Sequence, residues 1–393
     1  MNTKREYILW LPSWYPNRFD LFTGDFIQRH AVATAFYCPV TVIHFAAPGE
    51  CVSVPASTAT VSESEHLKEI IVYNTFKPTG IKIVDKVVYN IRFYKSAQKF
   101  IKQYFAEHGL PKIVHVHVPV KAGNIARWIK KEYDIPYLVS EHASYYMQEA
   151  ETNFYQRHAL YKKQVAKVFQ KAILVTNVSA AIGNVIKQLF RLKQVAVIHN
   201  TVDTAYFNYS DSKADVFTFI HVSTLTAQKN IMGILKSFVR LRETRKDWKL
   251  KIVGPASAAI LNFMQQNKLE THIELTGEVP YKDVATHLKT AHAMVLFSRH
   301  ENFPCVVIEA LCCGVPVVSS DVAGICEAVN DANGILIPSG DENALRQALL
   351  DVMKSYGTYD HVAISKEAIE RYSYQTIGRR IFNLYYPTAD YGG

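Results

Sequence analysis

The sequence predicts an α/β protein made of two Rossmann-like, doubly wound parallel-sheet domains facing a cleft. Three observations carry this expectation. The chain has 393 residues, more than one ordinary hydrophobic core organises, so two domains are expected. Short β-rich runs alternate with amphipathic helical stretches through the second half, as in a parallel sheet covered by helices on both faces. The first half repeats that rhythm less regularly.

Taken in order, the strand candidates of the first half are residues 7–11, 40–45, 113–117, 137–140, 173–177 and 195–199. Residues 48–64, rich in Ser, Thr, Val and Ala, show no clear pattern. In the second half, residues 217–225, 248–254, 272–277, 292–298, 316–320 and 334–338 read as strands, and 231–243, 283–291 and 342–355 as helices. The polar run Asp211-Ser212-Lys213-Ala214-Asp215 lacks periodicity and marks the boundary region. The expected units are 1–205, 206–370, and a C-terminal helix in 371–393 packing back on the first unit.

Apolar residues make up 49% of the chain and charged residues 20%, the balance of a soluble globular protein. No run reaches the roughly 18 unbroken apolar residues of a membrane span. The opening residues pass directly into the strand-like Tyr7-Ile8-Leu9-Trp10, without the apolar core and cleavage site of a signal peptide. A cytoplasmic location is expected. Six cysteines without a CxxC pair argue against a disulfide framework, and Cys312 and Cys313 read as small buried hydrophobes.

The net charge of +9 is unevenly spread. Residues 1–200 hold 25 Lys+Arg against 14 Asp+Glu, a net +11, and the remainder holds 19 against 21. Such asymmetry points to an anionic partner for the first half. Within it, 81–105 reads as a helix with apolar positions Val84, Val87, Val88, Ile91, Tyr94, Ile101 and Phe105. Arg92, Lys95, Lys99 and Lys102 form one stripe along it, and Lys163, Lys167 and Lys171 form a second. Either stripe is a solvated face or a docking surface for anionic lipid headgroups. Nucleic acid is disfavoured, because no recognition motif accompanies the charge.

Ligands of open parallel sheets bind beyond the carboxyl ends of the strands. The strand Ala293-Met294-Val295-Leu296-Phe297 ends at Ser298-Arg299-His300, and Glu301-Asn302-Phe303-Pro304 leads into the helix Cys305-Val306-Val307-Ile308-Glu309-Ala310-Leu311. Pro304 suits the first helical turn and Gly314 the C-terminal cap. The helix N-terminus suits phosphate. Glu309 is surrounded by apolar residues, where a carboxylate is costly without hydrogen-bond partners; a ligand's paired hydroxyls would supply them. The alternative is a surface helix whose Glu points to water.

Glu301 and Glu309, with seven residues between them in Glu-Asn-Phe-Pro-Cys-Val-Val-Ile-Glu-Ala-Leu, resemble the E-x7-E motif of family 4 retaining glycosyltransferases. Four further blocks resemble that family in the right order. They are His199-Asn200-Thr201-Val202-Asp203, Val222-Ser223-Thr224-Leu225 with Lys229-Asn230, Gly314 through Glu327, and Asn333 through Pro338. The resemblance implies the GT-B fold and a retaining, metal-independent transfer of a sugar from a nucleotide-diphospho-sugar. The acceptor would be a saccharide or a polyprenyl-phosphate-linked one in polysaccharide or glycoconjugate biosynthesis; the charge of the first half favours the latter, with the enzyme peripheral on the inner face of the cytoplasmic membrane. No cofactor is implied beyond the nucleotide sugar itself.

By the same resemblance, Glu309 would bind the ribose hydroxyls and Glu301 the donor sugar ring. Lys229 would neutralise the departing diphosphate. Gly254, Val279, Phe303 and Pro304 would lie along the donor. Thr224 stands where relatives often carry Arg, so Lys229 with Thr224, or Arg299, would complete the phosphate clamp. Pro12-Ser13-Trp14-Tyr15-Pro16 through Gly24-Asp25 resembles the family's first loop, in which Gly24 is either a turn glycine or a close-approach residue for phosphate or acceptor. His142, in Ser140-Glu141-His142-Ala143, matches the family histidine beside the reacting bond and would orient and stabilise. With His44, His115 and His117 it also has the spacing for a three-His zinc shell; ordinary core and rim histidines are the preferred account, and no metal is assigned. Two other functions share this architecture: a nucleotide-sugar epimerase, and a donor-binding protein without activity.

Overall fold

The structure, a computed structural model, describes residues 6–46, 58–74 and 80–387. Part of the patternless 48–64 stretch and the end of the expected C-terminal helix region lie outside them. The first unit runs β1 (Ile8–Pro12), α1 (Asp25–Ala35), β2 (Val40–Ala46), β3 (Thr58–Glu63), β4 (Leu67–Tyr73), α2 (Lys82–His108) and β5 (Ile113–His117). It continues through α3 (Ala122–Tyr133), β6 (Tyr137–Glu141), α4 (Ala159–Lys171), β7 (Val175–Asn177), α5 (Ala180–Phe190) and the two-residue β8 (Ala196–Val197). These strands form one sheet in the order β3-β4-β2-β1-β5-β6-β7-β8, parallel except for the antiparallel edge strand β3.

The second unit runs β9 (Phe217–Val222), α6 (Ile231–Arg242), β10 (Trp248–Val253), α7 (Ala258–Gln266), β11 (Ile273–Gly277), α8 (Tyr281–Thr290), β12 (Ala293–Leu296) and α9 (Cys305–Cys312). It continues with β13 (Val317–Ser320), β14 (Gly334–Ile337), α10 (Glu342–Ser355) and α11 (His361–Tyr372). Its sheet is wholly parallel, in the order β11-β10-β9-β12-β13-β14. A last helix, α12 (Tyr374–Tyr385), follows.

Each sheet is covered on both faces, which is why its strands are almost continuously apolar. α2–α5 bury Phe93, Ile101, Ile125, Val168 and Ile186 on one side of the first sheet, and α1 and α12 bury Ile27, Ala31, Ile377 and Ile381 on the other. In the second unit α6, α7 and α10 cover one face and α8, α9 and α11 the other. Cys312 and Cys313 are buried in that last cluster.

The chain crosses between units twice, and the crossings are tied together. Val202 N–H donates to Tyr372 O at 2.9 Å, and Thr201 Oγ1 donates to the same carbonyl at 3.0 Å. The Thr201 side chain thus reinforces the backbone bond between the two crossings. Beyond this point α12 lies on α1, with Trp10 Nε1 donating to Tyr385 Oη at 3.0 Å and Tyr37 Oη to Gln375 O at 2.8 Å.

The α2 helix corrects one expectation. Phe93, Ala97, Ile101 and Tyr104 form its buried face, while Val84, Val87 and Ile91 are 42%, 54% and 51% exposed. These three apolar positions in the first half of the helix overhang the sheet and face solvent.

Candidate active site

The strand orders reverse direction between β1 and β5 in one sheet and between β9 and β12 in the other. Such switch points leave a crevice at the carboxyl ends of the strands. In the first sheet the crevice is bounded by Ser13 and His117, with Ser13 N–H donating to His117 O at 2.9 Å. The next residue, Val118, has φ 64, an expensive conformation for a β-branched residue. In the second sheet the crevice lies between the ends of β9 and β12, where Thr224 and Glu301 are found.

After β9 the chain turns through a 3₁₀ helix, Ala227–Lys229, bracketed by left-handed Leu225 (φ 52) and Asn230 (φ 50). This turn carries Lys229 to Glu301, Nζ to Oε1 at 2.5 Å, with Glu301 buried. Gln228 fixes the neighbouring loop by donating from Nε2 to His300 O at 2.7 Å, and Arg299 N–H donates to Gln228 O at 2.8 Å. Thr224 and the Arg299 side chain are exposed. Gly254 has φ 146 and faces Ser223 O so closely that a Cβ would sit 2.0 Å away; no other residue fits. Val279 is half-buried against the core under α8 and α9.

Pro304 is the residue before the first turn of α9, one place earlier than expected, and Gly314 ends the helix region with φ 70. Phe303 is buried, its ring 4.5 Å from that of His199, and its carbonyl accepts from Asn200 Nδ2 at 2.6 Å. Glu309 is 2% exposed, so the surface-helix alternative is set aside. Burial pushes its carboxyl up to about 7, opposed by Arg29. Arg29 comes from α1 of the other unit, Nη2 lying 3.9 Å from Glu309 Oε1.

The facing wall is histidine-rich. His142 follows β6 directly, and its Nε2 lies 3.1 Å from His117 Nδ1, with the two rings stacked at 5.4 Å. His115 contacts Tyr385 Oη and Ser140 Oγ, and Trp10 lies against both His115 and His117. Burial holds His115, His117 and His142 well below the usual imidazole value, so all three are neutral. Among the described residues the buried His142 Nδ1 and His117 Nε2 have no hydrogen-bond partner. His44 instead bonds Pro12 O at 2.9 Å. Among the described residues no group of three or more His, Cys, Asp or Glu is placed to hold a metal ion. Gly24 begins α1 with φ 71, and a Cβ there would lie 2.5 Å from the Trp14 carbonyl. That turn therefore requires glycine for its own sake.

Several residues that hold the walls together escape a reading of the sequence. Asn302, inside the E-x7-E segment, accepts from Ser179 Oγ at 2.6 Å and donates from Nδ2 to His142 O at 3.0 Å. Glu327 accepts from Ala180 N–H and Ala181 N–H at 2.9 and 3.0 Å, capping the N-terminus of α5 from the opposite unit. Gly324 passes so near Asn302 O that a Cβ would lie 1.5 Å away. Glu141 accepts from His142 N–H, Ala143 N–H and Tyr146 Oη, fixing the backbone that carries His142. Ser179 shows a local N-cap signal before α5; the cross-unit pairings show none.

Two doubly wound units whose strand-end crevices face each other, with Asn302 of one bonded to the His142 carbonyl of the other, have the arrangement of GT-B sugar-transfer enzymes. Comparison with known proteins agrees. Residues 38–206 match the Glycosyltransferase Family 4 family and residues 203–371 match Glycosyl transferases group 1. A Bacillus subtilis glycosyltransferase named for teichuronic acid biosynthesis is 24% identical over 396 residues, 94% of this chain and 93% of its own. The sucrose-phosphate synthase of Thermosynechococcus elongatus has the same fold, with a TM-score of 0.76 at 17% identity over 97% and 98% of the two chains. Anabaena Alr3699/HepE, solved in complex with UDP, gives 0.72 at 16% identity over 98% and 100%. The chain belongs to the family 4, group 1 glycosyltransferases, and it is a glycosyltransferase; nothing supports the epimerase alternative.

Proposed function

We propose that the protein is a retaining, metal-independent transferase that moves a sugar from a nucleotide-diphospho-sugar to a saccharide or lipid-phosphate-linked acceptor. The observation that carries this is the placement of Lys229, Glu301 and Glu309 at the β9/β12 crevice, with Asn302 tying their segment to the backbone of His142. Glu309 accepts hydrogen bonds from the ribose, Glu301 holds the sugar ring, and Lys229 meets the charge that grows on the diphosphate. Gly254, Val279, Phe303 and Pro304 line the donor, with Gly24 and the exposed Thr224 at its phosphate end.

The anomeric C–O bond to the diphosphate breaks as the acceptor oxygen bonds to the same face of that carbon. The acceptor's proton passes to a diphosphate oxygen, which balances the step and leaves the anomeric configuration unchanged. His142, neutral and with Nδ1 free, orients the sugar without acting as a nucleophile. Lys229 and the helix N-termini supply the positive charge, so no metal is needed. The match to a relative named for teichuronic acid biosynthesis supports a polysaccharide or glycoconjugate acceptor.

The work site is the inner surface of the cytoplasmic membrane. Among the described residues no helix is long and apolar enough to cross a membrane. The overhanging Val84, Val87 and Ile91 instead stand beside exposed Arg92, Lys95 and Lys99, and a groove between α2, α3 and α4 is lined by Asn124, Arg127, Lys163 and Lys167. Apolar residues next to cations suit an anionic lipid surface.

The test is nucleoside-diphosphate release from a panel of nucleotide sugars, with and without acceptor and in EDTA, and the anomeric configuration of the product by NMR. Acceptor-dependent release in EDTA with retained configuration is expected. Inversion, or activity lost in EDTA and restored by a divalent ion, overturns the mechanism. Donor binding without any turnover would mark an inactive binding protein.

A further inference from the structure

Arg29 lies in the middle of α1 and is only 8% exposed, a costly place for a guanidinium unless partners compensate. Nη1 donates to Asp25 Oδ2, one turn earlier, at 2.8 Å. Its other neighbours belong to the opposite domain: the guanidinium carbon lies 4.4 Å from the centre of the Tyr281 ring in α8, and Nη2 lies 3.9 Å from Glu309 Oε1 in α9. Among the described residues its buried Nε has no hydrogen-bond partner. At 3.9 Å the contact with Glu309 is an ion pair and not a hydrogen bond, so it leaves the carboxylate's acceptor positions to other donors.

We propose that Arg29 is a positioning residue for the donor: facing Glu309 across the cleft, it favours the carboxylate over the protonated acid, so the ribose diol is gripped fully only when the two domains are together. This rests on Glu309 being the ribose acceptor. An ionised carboxylate accepts from both hydroxyls, whereas a protonated one gives up part of that capacity to its own proton.

Among the groups facing Glu309, Arg29 is the strongest ionising influence, with a smaller one from the Tyr281 hydroxyl. Asp25, also from α1, opposes it. Tyr281 from α8 and Tyr374 from α12 are pushed up by burial and stay neutral. Cys305 on α9 itself and Cys313 just after it are held at about 12 by burial, and Cys312 is also raised. With burial pressing the Glu309 carboxyl to about 7 even beside Arg29, loss of the guanidinium leaves it largely protonated at neutral pH. An opposite charge at this range moves a carboxyl midpoint by about one to three pH units.

The experiment is calorimetric binding of uridine or guanosine diphosphate, whichever the parent binds, from pH 6 to 9.5. For Arg29→Met the acidic limb should move to higher pH by at least about one unit, with affinity about tenfold weaker at pH 7 and returning toward the parent at pH 9. Asp25→Asn should move the limb the other way, which keeps the idea testable if Arg29→Met folds poorly. A uniform loss of affinity at every pH, or parent-like profiles in both variants, overturns the proposal. Glu309→Ala separates the two layers. If it binds nucleotide as the parent does, the site assignment itself fails; if it loses binding while Arg29→Met keeps the parent's profile, the role of Arg29 alone fails.

Discussion

The first domain presents two very different surfaces. Its cleft wall is built from His115, His117 and His142, kept neutral by burial and packed around Trp10. Its outer layer, α2 to α4, displays Arg92, Lys95, Lys99, Lys102, Lys163, Lys167 and Lys171 to solvent. The wall across the cleft differs again, with Lys229 paired to Glu301 and Glu309 facing Arg29 of the first domain. Much of the excess charge of the first half is therefore displayed on the outer layer and not at the cleft, whose charged pair Lys229–Glu301 belongs to the second domain.

The largest effect expected from breaking this division is at Lys229. Its 2.5 Å pairing with Glu301 shows where the cation is kept before any diphosphate arrives. Lys229→Ala should lower kcat by about 10²–10³ while weakening ground-state donor binding far less, because leaving-group charge peaks in the transition state. Steady-state kinetics beside direct binding measures both. A change in KM alone would make Lys229 a binding residue and move the catalytic charge elsewhere.

A smaller effect comes from the neutral wall. His30 and His44 are held down at about 4 by burial, as is His221 in the second domain. Unfolded imidazoles take up a proton near 6.5. Between about pH 6.5 and 4 the unfolded chain therefore binds more protons, and these groups withdraw stability as pH falls. Glu309 and Glu141, raised to about 7 by burial, act oppositely, costing stability as pH climbs from about 4.5 to 7. The imidazoles outnumber them, so the melting temperature should rise from pH 5 to 7. His44→Gln can keep the bond to Pro12 O and should flatten that slope by up to one proton, about 1.4 kcal/mol per pH unit. An unchanged slope would show that His44 is protonated in the folded protein.

Sequence alone was informative where burial is continuous. The six strands expected in the second half coincide with β9–β14 to within three residues at each end, because strands covered on both faces are short apolar runs. The E-x7-E segment was legible for the same reason, a Glu being conspicuous among Val306, Val307, Ile308, Ala310 and Leu311. Strand β3 was not, since Thr58–Glu63 is an edge with mostly exposed side chains and no apolar period. The pairings of Arg29 with Glu309, Ser179 with Asn302 and Glu327 with the start of α5 join residues more than 120 positions apart. Nothing in the local pattern of either partner announces the other.

The smallest catalytic effect is expected from the outer layer, which lies away from the cleft and for which membrane docking is the proposed role. Lys95 and Lys99 are exposed on α2 beside the overhanging Val87 and Ile91, while Lys102 lies 3.5 Å from Glu132. Each basic residue near an anionic membrane contributes about 1 kcal/mol. Reversing Lys95, Lys99 and Lys102 to Glu should then release the protein from vesicles rich in phosphatidylglycerol while leaving nucleotide affinity and turnover of a soluble acceptor within about twofold. Cosedimentation at several salt concentrations measures this, because the Debye length shrinks from about 30 Å at 0.01 M to about 10 Å at 0.1 M, and electrostatic binding should fade over that range. Replacing Val84, Val87 and Ile91 by Ser should instead weaken binding in a salt-independent way, since it removes inserted apolar area. If the parent ignores anionic vesicles even at low salt, the basic layer is a solvated face and the acceptor is a soluble saccharide.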